Sequence, residues 1–184
     1  MVQGVFSALC YAAELGLDEC VEALLAAGAA PDRPGRSSWT PLMRAAWAGQ
    51  LDACRLLLGA GAQASLSDKN GEQALHAAAA RGRSACAKLL LDHGADIEAK
   101  DAAGRSALLA SAGAPFSDDE DLFFDCCRML LDNGANLHAR DASGASAIDL
   151  AIQANGHTRL SAMLESRELS LETLAAPGSS SPRL

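Results

Sequence analysis

Apolar residues in this chain fall into short helical stripes, arranged two by two. From Trp39 to Ala62 the sequence reads W-T-P-L-M-R-A-A-W-A-G-Q-L-D-A-C-R-L-L-L-G-A-G-A. Thr40-Pro41 opens a first apolar helix that ends near Ala48, Gly49 turns the chain, and a second apolar helix closes at Gly61-Ala62. Isolated helices shorter than about 12–15 residues are marginal in water. Such a unit therefore needs neighbours, and the rest of the chain supplies copies of it.

The copies keep a fixed spacing. Gly16, Gly49 and Gly82 are 33 residues apart, as are Gly28-Ala29, Gly61-Ala62 and Gly94-Ala95, and again Gly71 and Gly104. Gly134-Ala135 follows 40 residues after Gly94-Ala95, and Gly144 follows 40 after Gly104, so the fourth unit carries seven extra residues. Leu42, Leu75, Leu108 and Ile148 recur on the first helix, and Leu56-Leu57, Leu89-Leu90 and Met129-Leu130 on the second. Facing the next unit, they would form one continuous core. Ala45-Ala46 and Ala78-Ala79 would keep the layers close. Forty alanines against seven aromatic residues point the same way, because small side chains let helix axes approach.

The pattern resembles the ankyrin repeat family, whose motif T-P-L-H-x-A-A, Gly turn and L-L-x-x-G-A is matched best by Thr40-Pro41-Leu42-Met43-Arg44-Ala45-Ala46. The other copies are degraded: Ser7-Ala8-Leu9-Cys10, Gln73-Ala74-Leu75-His76, Ser106-Ala107-Leu108-Leu109 and Ser146-Ala147-Ile148-Asp149. The resemblance implies an all-α solenoid of helix-turn-helix units with hairpin-like tips. Five repeats are expected, at 5–34, 35–67, 68–100, 101–140 and 141–166, making one domain over 1–166. Residues 167–184 are expected to form a largely disordered extension, with Leu169, Leu171 and Leu174 adding at most one further turn. His76 stands at the family's usual histidine place, which joins hairpin to helix through hydrogen bonds, and Cys10 stands at the equivalent place in repeat one.

The insertion, Gly113 to Asp125, contains Pro115, the acidic run Asp118–Asp121 and Phe116, Phe123 and Phe124. Ser117 and Glu120 have capping-box spacing, and carboxylates in a first turn suit the helix dipole. A second helix lengthened to about 118–132 is expected. Phe116, Asp118, Asp119 and Glu120 form a secondary candidate contact, set against a simple capped, solvated extension. Consecutive carboxylates on a helix do not converge on a metal.

Family resemblance also implies binding through a concave face of hairpin tips and first helices. Mapped onto this chain, that face contains Trp39 and Trp47, the only tryptophans, with Tyr11, Arg36, Arg44, Lys69, Glu72, Arg81, Lys100 and Arg105. Large rings at exposed positions are typical anchors, although Trp39 and Trp47 packing on each other is an equally plain reading. The face is locally basic in a chain of net charge −8. It therefore suits a protein partner with an acidic surface, and the overall charge disfavours nucleic acid.

Other chemistry is sparse. The six cysteines contain no C-x-x-C pair. Cys20, Cys86 and Cys126 are equivalent, with Cys54 and Cys127 one place on, as expected of small buried apolar residues. The four histidines are scattered, and no Gly-rich phosphate loop, G-x-S-x-G or H-E-x-x-H occurs. No metal, cofactor or catalysis is expected. The absence of a signal-like start and of a long apolar run points to a cytoplasmic protein, and the asymmetric ends to a monomer. The expected role is a non-enzymatic adaptor or scaffold. The alternatives are a stoichiometric inhibitor of the bacterial immunity or antitoxin kind, and a secreted effector that binds a host protein. Arginine exceeding lysine by 12 to 3 with abundant alanine leans to a bacterial source.

Overall fold

The computed structural model describes residues 8–35, 38–114, 120–154 and 158–175. The expected tail over 176–184 lies outside them. Ten helices occur among the described residues: α1 (Ala8–Leu15), α2 (Asp18–Ala26), α3 (Pro41–Ala48), α4 (Leu51–Gly59), α5 (Ala74–Ala79), α6 (Ser84–Asp92), α7 (Ala107–Ala112), α8 (Glu120–Asp132), α9 (Ala147–Gln153) and α10 (Thr158–Ala175). No strand appears among these residues, only single antiparallel bridges at Ser67–Gln73 and Arg140–Ser146. None of the described helices is long and apolar enough to cross a membrane.

Odd-numbered helices form one layer and even-numbered helices a second. Each packs on its own partner and on its equivalent in the next pair. This is the all-α repeat solenoid that the resemblance implies. The local signals act as read in the best-preserved unit. Thr40 Oγ1 accepts the Met43 N–H at 3.2 Å, and Pro41 takes the first helical position. Pro41's missing N–H is no loss there, because the first-turn donors have no partner within the helix. Gly49 ends α3 in the left-handed region, at φ 84°.

Leu42, Leu57, Leu75, Leu90, Leu108 and Leu130 are fully buried in one continuous core. Their neighbours Leu56, Leu89 and Met129 are only half-buried, being rotated about 100° away on the same helices. Ile148 is half-buried too, since only one side of the last repeat is covered by a preceding pair. Cys54, Cys86, Cys126 and Cys127 are buried, as expected, but Cys20 is exposed. Repeat one has no preceding repeat among the described residues to cover that position.

The C-terminal end differs from expectation. The chain past Ser166 does not leave the fold but continues as helix to Ala175. Leu160 and Leu164 are fully buried on the inner face of α10. Beyond them, Arg167 pairs with Asp132 of α8, and Glu168 lies 3.6 Å from His138. These contacts hold the extra turns against repeat four. Glu120 is the first described residue of α8. Its Oε1 accepts the Arg159 N–H at 3.0 Å and the Leu160 N–H at 3.2 Å, capping α10. Arg159 also pairs with Asp121 and lies 4.3 Å over the Phe124 ring. The insertion thus fastens the last helix. Ser117 lies outside the described residues.

Hairpin tips are built by a recurring carboxylate. Asp68 Oδ1 accepts the N–H groups of Asn70 (2.7 Å) and Glu72 (2.9 Å). Asp101 Oδ1 accepts those of Ala103 and Arg105, both at 2.9 Å, and Asp141 Oδ1 those of Ser143 (2.8 Å) and Ala145 (2.9 Å). Adjacent tips join through the Ala102 N–H to Asn70 O and the Ala142 N–H to Ala103 O, each at 2.8 Å.

Two outcomes follow from this core and these tips. Leu57→Ala or Leu90→Ala should cost about 2–5 kcal/mol in urea unfolding, through lost burial and a cavity between repeats. At Asp101, burial alone would raise the pKa, but the Arg105 N–H and guanidinium more than offset it and hold the carboxyl below its ordinary 3.8. A carboxyl depressed by folding stabilises fully above its ordinary pKa and loses that contribution as the pH falls through the lowered value. Asp101→Asn should therefore lower the thermal midpoint at neutral pH, and the deficit should shrink as the pH is taken progressively below 3.8, when both chains are scanned side by side.

Candidate protein-binding site

A groove of about 450 Å³ is lined by Trp39, Arg44, Trp47, Asp68, Lys69, Asn70 and Glu72. It forms where the tip of repeat three leans over the first helix of repeat two. Trp39 enters it from just before the Thr40 cap, and Trp47 from the last turn of α3.

The segment leading into Trp39 is tied to repeat one. The Gly35 N–H donates to Trp39 O at 2.9 Å, and the Cys10 thiol lies 3.8 Å from both Arg33 O and Trp39 O. His76 makes the same two contacts one pair of repeats on. Its Nδ1 accepts the Gln73 N–H, which leaves the proton on Nε2, 2.9 Å from Ala99 O and 3.1 Å from Arg105 O. Cys10 and His76 are thus equivalent structural ties. Ser38 stands where the other tips carry Gly71, Gly104 and Gly144, yet it too is left-handed, at φ 62°. A non-glycine residue there is uncommon and stores strain immediately before Trp39.

The two indoles meet edge to face, with centroids 5.5 Å apart and planes at 74°. Such pairs contribute about 0.5–1.5 kcal/mol beyond burial. Arg44 lies 5.1 Å over Trp39, and Arg81 lies 4.9 Å over Trp47. Trp39 Nε1–H donates to Asp68 Oδ2 at 3.2 Å. The tip aspartate therefore holds its own turn with one oxygen and the indole of the preceding repeat with the other. Both rings are half-buried, so mutual packing and exposure coexist.

The charge pattern is finer than a uniformly basic face. Arg44 pairs with Glu14 at 3.5 Å, Arg105 with Asp101 at 2.7 Å and Glu72 at 3.8 Å, and Arg140 with Asp149 at 3.7 Å. Lys69 and Lys100 are exposed, with no ion pair among the described residues. The positive excess is thus at the rim, and carboxylates occupy the floor. Burial, with the neighbouring Asp68 charge, raises the Glu72 pKa.

The structure brings Trp39, Arg44, Trp47, Lys69 and Glu72 into one groove. Arg81 joins through Trp47, and Arg105 through Glu72. Lys100 lies on the next tip, outside the groove lining. Tyr11 lines a separate apolar hollow in repeat one. Arg36, Phe116, Asp118 and Asp119 lie outside the described residues, and Glu120 caps α10. Asp68 was missed. The D-x-x-G spacing shared by Asp68-Gly71, Asp101-Gly104 and Asp141-Gly144 was the available signal.

A family model described as ankyrin repeats (3 copies) matches residues 4–68 and 54–141. No curated protein matches the chain. With the family match running over most of the chain and the helix pairs stacked in its register, the protein belongs to the ankyrin repeat family, whose repeats are in general protein-interaction modules.

Proposed function

We propose that the protein is a non-enzymatic adaptor that binds a partner protein on its concave face, centred on Trp39 and Trp47. The observation that carries this reading is the pair of indoles fixed at the mouth of the groove by Asp68, Arg44 and Arg81. Rings already held in place lose little side-chain freedom on binding, so more of their burial appears as affinity. Central, desolvated tryptophans and arginines dominate the energetics of many interfaces.

The rim sets the partner's charge. Lys69, Lys100 and Arg81 are exposed around a groove whose other arginines are neutralised by Glu14, Glu72 and Asp101. An acidic surface opposite them would speed association and orient the partner. The interaction should therefore weaken with added salt.

Capture from a native lysate supplies the partner, and single substitutions locate it. Trp39→Ala and Trp47→Ala should each reduce affinity by at least about 2 kcal/mol, roughly 30-fold. Circular dichroism and thermal midpoint separate loss of binding from loss of fold. Unchanged affinity in two folded variants would remove the groove from the interface.

A further inference from the structure

Trp47 and Arg81 are departures from the repeat that the stack does not require. At the place of Trp47, repeats one and three carry Glu14 and Ala80, and at the place of Arg81, repeats one and two carry Leu15 and Ala48. Leu15 and Arg81 are exposed, and Trp47, Ala48 and Ala80 are half-buried, so neither place belongs to the buried core. Yet these two side chains meet across the junction, with the Arg81 guanidinium 4.9 Å over the Trp47 ring. The ring takes one face of the guanidinium. Its N–H donors lie in the plane of the group and stay available to an acceptor.

The fold itself does not use that plane for an ion pair. Arg33, Arg81 and Arg83 are the described arginines outside any ion pair among the described residues. Of the three, Arg81 alone is held on a tryptophan of the groove. The groove's carboxylates are engaged elsewhere. Asp68 holds its own turn with one oxygen and the Trp39 indole with the other, and Glu72 lies 3.8 Å from Arg105. Arg83 adds a second positive charge two residues on. Its stem packs over Gly49, where an added Cβ would meet Arg83 Cδ at 2.8 Å.

We infer that Arg81 is a specificity-determining residue of the interface proposed above, and that its guanidinium fork receives the side-chain carboxylate of a glutamate or aspartate in the partner protein. This rests on that interface and names the chemistry of one of its contacts. The fork donates two parallel N–H bonds to the two carboxylate oxygens, while Trp47 keeps it from turning. Bidentate, charge-assisted bonds of this kind are about twice as strong as neutral ones and fix orientation as well. Lys69 and Lys100, on flexible stems, attract an acidic surface without fixing a position on it.

A random peptide library displayed on phage and panned on the full chain supplies the probe. The best-enriched peptide with an acidic residue is synthesised with an amidated C-terminus, beside a counterpart carrying Gln or Asn at that residue. Fluorescence anisotropy gives the affinity of each for the chain and its variants. Arg81→Gln should weaken the acidic peptide about tenfold and leave the amide counterpart unchanged. Arg81→Lys should recover only part of the loss, since it restores the charge and not the fork. Trp39→Ala should weaken both peptides.

Equal weakening of both peptides by Arg81→Gln would make Arg81 a support for Trp47 and overturn the inference. Full recovery by Arg81→Lys, or selection without enrichment of an acidic residue, would also overturn it. So would an amide counterpart that regains the affinity once its C-terminus is left free, which would put a chain-end carboxylate on the fork. Each of these leaves the interface standing while Trp39→Ala weakens binding. Peptides that bind alike with and without Trp39→Ala and Trp47→Ala would instead remove the groove itself, and the role of Arg81 with it.

Discussion

Every element of this protein depends on contact between repeats. No described helix before the insertion exceeds nine residues, too few to persist alone in water. Each becomes stable only when its leucine stripe is covered by the next pair. The fully buried series Leu42, Leu75 and Leu108 on the first helices, and Leu57, Leu90 and Leu130 on the second, is that cover repeated. The alanines between them set the distance. Ala45, Ala46, Ala78 and Ala79 are fully buried, and larger side chains would hold the layers apart.

The same stacking creates the candidate site. Tip aspartates satisfy their own turns, but stacking brings the tip of one repeat over the first helix of the one before. Asp68 can therefore hold Trp39, 29 residues away, with its second oxygen. Arg81 reaches Trp47 across the same junction. A binding face built this way inherits the rigidity of the core. At the far end, Glu120 and Asp121 apply the principle to the last helix, where they hold Arg159 and cap α10 from the insertion.

Much of this was legible from spacing alone. The 33-residue period, the 40-residue step and the leucine positions require only that equivalent residues do equivalent work. Trp39, Trp47, Arg44 and Glu72 were also within reach, because the repeat register projects them onto one face. What escaped depended on position within the stack, or on pairs distant in sequence. Cys20 has the same register as Cys86 but lies on repeat one, which no earlier repeat covers among the described residues, so it is exposed. Glu120 has capping-box spacing within its own helix, yet bonds to N–H groups 39 and 40 residues on. Asp68 recurs with Asp101 and Asp141, but its grip on an indole exists only because repeat two has tryptophan where repeats three and four have Glu72 and Arg105. The helix to Ala175 is held by Arg167 and Asp132, a pairing that composition does not reveal.

The chain's whole tryptophan emission arises from Trp39 and Trp47, the only two tryptophans present, so intrinsic fluorescence reads the candidate site without a label. Acrylamide quenching of that emission, measured as a captured, tryptophan-free fragment of the partner is titrated in, addresses the central claim most directly. Binding on the concave face predicts that the quenching constant falls in step with complex formation. A complex that forms with unchanged quenching would contradict it.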